Sequence, residues 1–326
     1  MKFKFLGLLL LAVSLTACKF SETKKDNQID PEISNEIHVL NNRIITGFVE
    51  GKPENILPVC SDRLLTRKGD VLKLVQIVQG KLKVGDFRIL NEYYQKNAAK
   101  KHVAVVSSGK TGNHDYQIQY ESLNKEMYVL VGYFEGEMNK KCFTFIYGKD
   151  GNKWKLNGYQ AGFLEIMKKD AYDWYLSAKS NYQKGYLVDA LCNIGLATQL
   201  LKPANHLWHY QKEKEILALE HEITKETYAS YKFPLTLDSV ETKPVIFRVY
   251  AEPMNDAYFP LILYITSVDL NDTQRLSKEC NEIHEQIAKR FKGLTINNKI
   301  ILYRPLKSIP TGTETTQQRG FMKKVE

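Results

Sequence analysis

The stretch from Met127 to Tyr159 decides the fold of this chain. Residues 127–135 read MYVLVGYFE, residues 142–147 read CFTFIY and residues 154–159 read WKLNGY. Aromatic and β-branched side chains dominate these runs, which favours strands. The turn-forming segments MNK (138–140) and DGN (150–152) separate them. Runs of this kind with short turns between them predict an antiparallel meander.

The segments before this stretch predict two further strands and several helices. Residues 102–107 and 116–121 alternate and extend the meander. Asp30-Pro31-Glu32 is typical of a helix start, with a capping carboxylate and a proline in the first turn. Apolar side chains then recur every three or four residues at Ile33, Ile37, Leu40, Ile44 and Phe48. A short helix after Gly51-Lys52-Pro53 and a helix over 70–79 complete the predicted helical part.

Three helices followed by a curled antiparallel sheet resemble the NTF2-like cone fold, here over residues 30–166. Residues 51–78 and 154–159 are similar to its secreted or lipid-anchored bacterial members. The resemblance implies a pocket between sheet and helices, but it brings no catalytic motif. Candidate ligand contacts in that pocket are Tyr133, Phe143, Phe145 and Tyr147. The alternative for these four side chains is plain core packing.

The remainder of the chain predicts two further blocks and a tail. Residues 167–230 are helical by pattern throughout, and one helical pair resembles a tetratricopeptide repeat. A packed helical connector is favoured over a repeat array, because an array needs about three repeats to bury its faces. Residues 231–306 predict a small ββαβ unit, and residues 307–326 have the composition of a disordered tail. The predicted fold class is therefore α+β.

The N-terminus carries an export signal. Two lysines precede the apolar run from Leu6 to Val13, and small residues close the segment before Cys18. This arrangement is typical of a signal peptide over residues 1–17, and the run is too short to cross a bilayer. No other run approaches the length of a membrane span. Cys18 is either the acceptor of a lipid anchor or a chance cysteine that follows an ordinary cleaved signal.

Leu15-Thr16-Ala17-Cys18 also resembles the lipobox of bacterial lipoproteins. The resemblance implies that the Cys18 sulfur receives a diacylglyceryl group, so that acyl chains anchor the protein to a membrane. Residues 18–29 are polar and without period, which predicts a flexible tether. Lys19 is not the aspartate associated with inner-membrane retention, which favours the outer membrane.

Composition excludes several classes of function. The chain has 326 residues, and 46 Lys and Arg against 37 Asp and Glu give a net charge of +9. These cations are scattered, so nucleic acid is not predicted as a partner. The five cysteines are too few for a disulfide scaffold. Apart from Cys18 they lie in apolar patterns, and a bridge between Cys60 and Cys142 stays open.

The chemical motifs are weak. Ala104 to Thr111 half matches a phosphate-binding loop, but no helix follows, so a hairpin turn is predicted. His206 and His209 lie three apart on a predicted helix and lack a third ligand, so no metal and no cofactor are predicted. Glu135 and Glu137 share a strand face roughly 7 Å apart, a separation at which acid–base chemistry is feasible. A solvated pair at a strand end is the alternative.

Two functions follow from these observations. The leading hypothesis is a lipid-anchored, non-enzymatic binding or assembly protein of the bacterial envelope, with the membrane and an envelope protein as partners. The alternative is an enzyme that uses an NTF2-like pocket, with Glu135 and Glu137 as its acid–base pair.

Overall fold

The computed structural model describes residues 21–311 and 319–325, and the predicted signal peptide and Cys18 lie outside these ranges. Helices and strands are both abundant, which confirms the predicted α+β class. The helices are α1 Pro31–Glu50, α2 Asp62–Leu65, α3 Lys68–Val78, α4 Ala171–Gln183, α5 Leu187–Gln199, α6 Glu213–Tyr231, α7 Thr273–Arg290 and α8 Leu294–Asn297. The strands are β1 Glu22–Lys25, β2 Phe87–Lys96, β3 His102–Ser107, β4 Tyr116–Ser122, β5 Glu126–Glu135, β6 Lys140–Asp150, β7 Lys153–Glu165, β8 Trp208–Tyr210, β9 Leu235–Thr236, β10 Val245–Met254, β11 Ala257–Ile265, β12 Ile300–Leu306 and β13 Phe321–Lys324.

The central sheet has five antiparallel strands in the order β1-β2-β5-β6-β7. Helices α1 and α3 cover one face, where Phe143, Phe145 and Tyr147 enter a shared core. The opposite face, with Val129 and Val131, packs against strands β3, β4 and β8 and against α4–α6. Burial on both faces explains why β5 and β6 are almost continuously apolar instead of alternating.

Helix α1 forms as its sequence predicts. The Asp30 carboxylate accepts a hydrogen bond from the backbone N–H of Glu32 at 2.9 Å, and Pro31 occupies the first turn. The helix ends at Gly51, whose φ of 72° is left-handed and favours glycine. Its apolar stripe, with Ile37 and Ile44 fully buried, lies on the central sheet.

The meander prediction is wrong in one respect. Strands β3 and β4 leave the central sheet and form a second sheet in the order β3-β4-β8. The strand β2, which the sequence analysis missed, fills the place beside β5. Polar residues such as Asn91, Glu92 and Gln95 interrupt the apolar pattern of β2, and this hides its period.

The second block is not helical throughout. The predicted helix from His206 is instead a short turn followed by β8, and α6 begins only at Glu213. Pro203 and the positive φ of Asn205 (53°) interrupt the helix, and Trp208 is fully buried. The Trp208 ring stacks on Tyr116 with centroids 3.8 Å apart, so tertiary packing selects the strand.

The C-terminal unit contains the predicted ββαβ arrangement. β10 and β11 form a hairpin, α7 crosses the sheet, and β12 pairs parallel with β11. Asp272 caps α7 by accepting a hydrogen bond from the backbone N–H of Arg275 at 3.0 Å. The disordered-tail prediction is wrong for residues 321–324, which form β13 on the edge of β12. The same prediction also covers residues 312–318, which lie outside the described ranges.

The flexible-tether prediction is wrong for residues 22–29. Residues 22–25 pair with β2 along their whole length, and Ile29 is buried. The Asp26 carboxylate accepts hydrogen bonds from Asn91 Nδ2 at 3.1 Å and from the backbone N–H of Glu92 at 2.8 Å. A polar segment joins a sheet edge through its backbone, which needs no apolar side chains.

Candidate functional site

A cleft of about 460 Å³ opens between α2, the start of α3, the middle of β7 and the turn before β8. We call it the arginine cleft. Its walls are Arg63, Leu64, Arg67, Asp70, Tyr120, Glu121, Leu123, Ile146, Asn157, Gly158, Tyr159, Gln160, His206 and Leu207. The volume lies within the range of sites that bind small molecules.

Backbone contacts hold α2 beside β7. Cys60 forms a parallel bridge with Leu156, and the Ser61 N–H donates to the Leu156 carbonyl at 2.9 Å. The Ser61 hydroxyl then caps α2 by accepting the N–H of Leu64 at 3.4 Å. These contacts place Arg63 and Arg67, which lie four residues apart, at the mouth of the cleft.

The two arginines form solvent-exposed ion pairs with single carboxylates. Arg63 Nη1 donates to Glu121 Oε2 at 2.8 Å, with the two side chains 63% and 50% exposed. Arg67 lies 2.6 Å from Asp70 Oδ2, with exposures of 75% and 56%. Each guanidinium engages a single carboxylate oxygen and retains further N–H donors. Exposed pairs of this kind contribute little stability, so a ligand anion can replace the protein carboxylate at small cost.

Tyrosines form the apolar wall of the cleft. The Tyr159 ring packs edge-on against Phe48 at 5.7 Å between centroids. Burial raises the pKa of Tyr159 to about 12, Asp70 adds to the rise, and Arg67 opposes it. Burial also raises the pKa of Tyr120, whose hydroxyl donates to Gln95 Oε1. Both phenols therefore stay protonated at neutral pH.

His206 reaches the cleft from the second block. The turn at Asn205–Leu207 closes through the Leu207 N–H and the Ala204 carbonyl at 3.2 Å, and it leaves the imidazole exposed. His209 lies instead on β8, with Nδ1 3.8 Å from a carboxylate oxygen of Glu213. The shared helix face predicted for these two histidines is therefore wrong.

The residues that line the cleft suit the binding of an anionic group. Two guanidinium groups and an imidazole surround its mouth, and its walls offer tyrosine rings and the amides of Asn157 and Gln160. Guanidinium groups bind carboxylate or phosphate oxygens through paired N–H donors. Among the lining residues no serine, threonine or cysteine stands beside a histidine as a nucleophile would.

The four aromatic candidates lie on both faces of the central sheet. Phe145 and Tyr147 are fully buried in the core under α1, where the Tyr147 hydroxyl donates to Asn41 Oδ1 at 2.9 Å. Phe143 is 2% exposed and touches an apolar groove of about 350 Å³ beside α3. Tyr133 points to the opposite face, because it packs with the other core cluster.

Glu135 and Glu137 do not share a strand face. β5 ends at Glu135, and Glu137 lies in the turn that follows, so the alternation of a strand does not extend to it. Glu135 is half exposed, with Oε1 3.8 Å from Lys140 Nζ. Both glutamates line a groove of about 250 Å³ together with Lys81 and Lys83.

All four described cysteines are buried and have free thiols: Cys60, Cys142, Cys192 and Cys280. Cys60 belongs to the core under α1, and Cys142 belongs to the core on the other face of the sheet. In this structure the bridge that the sequence analysis left open is absent for these two described residues. Cys18, the proposed lipidation site, lies outside the described ranges.

A cluster that the sequence analysis missed joins His114, Asp170 and Asp173. One ligand atom from each side chain lies within 4.8 Å of the others. The cluster already has a structural role, because Asp170 and Asp173 form a capping box at the start of α4. His114 Nδ1 lies 2.5 Å from Asp170 Oδ2. Capping and this hydrogen bond account for the geometry without a metal ion.

The half-matched phosphate loop is a hairpin turn, as predicted. β3 and β4 pair on either side of residues 108–115, and Gly109 has a positive φ of 67°. The Ser108 hydroxyl donates to Asp115 Oδ1 inside this turn. Because a strand follows instead of a helix, the amides of a helix N-terminus are missing from this turn.

The arginine cleft was not predicted from the sequence. The available signal was the pair of arginines four residues apart behind the capping Ser61, in the segment SDRLLTR. Nothing in that segment shows that His206 and Tyr159 meet it, because contacts between distant segments depend on the fold.

Comparison with known proteins gives no relative. No protein-family model, no curated protein and no solved structure matches this chain. Within residues 21–311 and 319–325, no helix combines the length and apolar character that a bilayer span requires.

Proposed function

We propose that this chain is a lipid-anchored protein of the bacterial cell envelope that binds a small anionic ligand in the arginine cleft. One observation carries the binding role: Arg63, Arg67 and His206 surround the mouth of a concave site with tyrosine walls. The resemblance of residues 15–18 to a lipobox supports the anchor.

The cleft chemistry favours a ligand with a carboxylate or phosphate group and a planar or apolar body. The anionic group replaces Glu121 or Asp70 as the partner of a guanidinium, and the body lies against Tyr159. A cleft of about 460 Å³ fits a small molecule or the terminal unit of a polymer. This site agrees with the non-enzymatic hypothesis. The groove at Glu135 and Glu137 is smaller, at about 250 Å³, and these two glutamates do not share the strand face on which the enzyme hypothesis rests.

The finer fold assignments belong to the same proposal. We infer that residues 30–166 are a divergent NTF2-like cone and that α4 and α5 are a single tetratricopeptide-like pair. Two features support this inference: helices packed on one face of a long antiparallel sheet, and a helical hairpin whose turn contains Gly185 at a φ of 72°. An experimental structure with a different strand order would contradict it.

The anchor is tested by replacing Cys18 with serine. The thioether cannot form on serine, so the variant is expected to lose membrane association. Cell fractionation combined with acyl labelling measures both properties. The anchor proposal is wrong if the variant still sediments with membranes after a salt wash, or if the wild type incorporates no label.

The ligand is tested by native mass spectrometry of protein extracted from the envelope in mild detergent. The expected result is an added mass that dissociates to a carboxylate or phosphate compound. The double variant Arg63→Gln with Arg67→Gln should lose this mass. Arg88→Gln is the matched control, because Arg88 is exposed but lies on β2 and bonds to the Gly85 carbonyl.

The outcomes separate the hypotheses. Equal ligand occupancy in both variants would exclude the cleft as the site. A stably bound protein in place of a small molecule would favour the assembly role with an envelope protein partner.

A further inference from the structure

The structure shortens the predicted tether to a few residues. Because β1 begins at Glu22, only Lys19, Phe20 and Ser21 separate Cys18 from the sheet. Four residue steps span at most about 14 Å. If Cys18 is acylated as proposed, the end of the central sheet at Glu22 is held against the headgroups of the membrane.

All five strands of the central sheet start or finish at this end. The cross-strand register places Glu22 opposite Lys96 and Lys96 opposite Glu126, and Lys149 Nζ lies 3.9 Å from Glu126 Oε2. Beyond this row lie residues 97–101, 122–125 and 150–153, which contain the three connections from β2 to β3, from β4 to β5 and from β6 to β7. We call this surface the sheet-end surface.

The sheet-end surface is rich in lysine. Lys100, Lys101, Lys125 and Lys153 are exposed, and none of them forms an ion pair with any described residue. Asp150 is the acid in these three connections. The acids Glu22 and Glu126 in the adjoining row already face Lys24 at 3.4 Å and Lys149 at 3.9 Å. Four unpaired cations therefore face outward beside the anchor.

Hydrogen bonds join the three connections into one surface. The Asn97 N–H donates to the Lys125 carbonyl at 2.7 Å, and Asn124 Nδ2 donates to the Lys149 carbonyl at 3.1 Å. Asn97 Nδ2 also donates to the Ser122 hydroxyl at 2.9 Å. The four lysines therefore lie on segments that are hydrogen-bonded to one another, and not on independent loops.

An apolar groove borders the same surface. It lies between α1 and the start of β7, and its wall includes Lys153, Trp154 and Val39, the last of which is 71% exposed. Glu32 and Glu36 of α1 also line it, on the side of α1. The exposed Val39 adds apolar area beside the sheet-end surface, which suits contact with the interfacial region of a bilayer.

We propose that the sheet-end surface lies on an anionic phospholipid bilayer, with Lys100, Lys101, Lys125 and Lys153 against the headgroups. This inference rests on the proposed acylation of Cys18, and it adds the orientation of the body. The opposite end of the sheet, with Glu135 and Glu137, then faces away from the membrane. Each lysine near an anionic surface contributes attraction that salt weakens.

The test uses the full acylated protein reconstituted into vesicles. One set contains phosphatidylcholine with about a third phosphatidylglycerol, and the other contains phosphatidylcholine alone. A water-soluble amine-reactive reagent modifies exposed lysines, and mass spectrometry gives the rate for each peptide. In the anionic vesicles the four lysines should react several-fold more slowly than in neutral ones, and high salt should abolish the difference. Lys81 and Lys83, which are exposed near Glu135, are internal controls whose rates should not change.

A charge variant supplies a second measurement. Lys100→Gln, Lys101→Gln, Lys125→Gln and Lys153→Gln together should remove the protection that anionic vesicles give to backbone amides of residues 97–101 in hydrogen exchange. The matched control makes the same change at Lys68, Lys73, Lys81 and Lys83, which are exposed on and after α3, and should keep the protection.

The results distinguish this inference from the anchor. If Cys18 carries acyl chains but the four lysines react at the same rate in anionic and neutral vesicles, as the control lysines do, the proposed orientation is wrong. The proposed anchor is then unaffected. If Cys18 carries no acyl chain, both proposals are overturned.

Discussion

Burial controls the chemistry of the cysteine thiols. It raises the pKa of Cys60 to about 11 and the pKa of Cys142 and Cys280 to about 12, and it raises the pKa of Cys192 as well. Because the thiolate is the reactive form, these four thiols are expected to be inert in the folded protein.

Alkylation with iodoacetamide at about pH 8 tests this expectation. We expect no modification of peptides containing Cys60, Cys142, Cys192 or Cys280 in the native protein, and complete modification in denaturant without reductant. Loss of modification at both Cys60 and Cys142 in denaturant would show a disulfide and contradict the structure.

His284 links folding stability to pH. Its Nδ1 lies 2.6 Å from the Tyr303 hydroxyl, and burial, followed by the charge of Lys323, lowers its pKa below the ordinary value of 6.5. The unfolded chain therefore binds a proton at this site at a higher pH than the folded protein does. Neutral His284 therefore favours the folded state above pH 6.5, and this contribution to the free energy of unfolding is lost as the pH falls towards the lowered pKa.

The variant His284→Asn should reduce this dependence. We expect the urea midpoint of the wild type to fall more than that of the variant between about pH 7.5 and about pH 5.5. The variant serves as the reference because other groups titrate in both proteins. Equal slopes for the two would exclude His284 as the cause.

At the scale of elements, β7 shows how closely the first and second blocks pack. A Cβ placed on Gly162 would lie 2.6 Å from the Pro203 carbonyl oxygen, whereas one on Gly158 would meet nothing within 4 Å. Both glycines lie on the same strand, but only Gly162 is pressed against the connector.

Gly162→Ala is therefore expected to destabilise the protein by about 2 kcal/mol, because backbone must move to admit the methyl group. Gly158→Ala is the matched control and should change stability by less than about 0.5 kcal/mol. Urea denaturation measures both. Similar losses for the two variants would show that the contact with Pro203 is not tight.

At the scale of the whole molecule, the first and second blocks share one core. Val129, Val131 and Cys142 of the central sheet pack in one cluster with Trp174 and Ile194 of the helices. Strand β8 also continues the sheet of β3 and β4. Residues up to 166 thus form one face of a core that the second block completes.

A fragment of residues 21–166 is consequently expected to lack a cooperative unfolding transition, because it exposes apolar side chains worth about 1.5–3 kcal/mol each. A fragment of residues 21–231 retains the shared core and should unfold cooperatively. Near-ultraviolet circular dichroism during heating compares them. A sharp transition in the shorter fragment would show that the first block folds alone.

A second contact ties the C-terminal unit to this assembly. The Asp189 side chain on α5 accepts hydrogen bonds from Asn297 at 3.0 Å and from Asn298 at 2.6 Å. Burial raises the pKa of this carboxyl. Helix α5 therefore contributes to two cores, since Val188 and Cys192 on its other face pack under β10–β12.

The sequence by itself determined the elements with strong local patterns. The Asp30 cap and apolar stripe gave α1, and the runs of aromatic, β-branched or alternating residues between turn segments gave β3–β7. These elements were predictable because each carries its own period and its own boundary residues, which act within a few positions of one another. The α+β class followed from the same patterns.

Only the tertiary structure decided the short strands and the site. β1, β8 and β13 have four residues or fewer, and each exists because a distant strand offers a free edge. The arginine cleft likewise needs Arg63 from α2, Tyr159 from β7 and His206 from the second block to meet at one edge of the central sheet. Backbone pairing and convergence depend on which surfaces come together in space, and a local pattern of side chains carries no record of that.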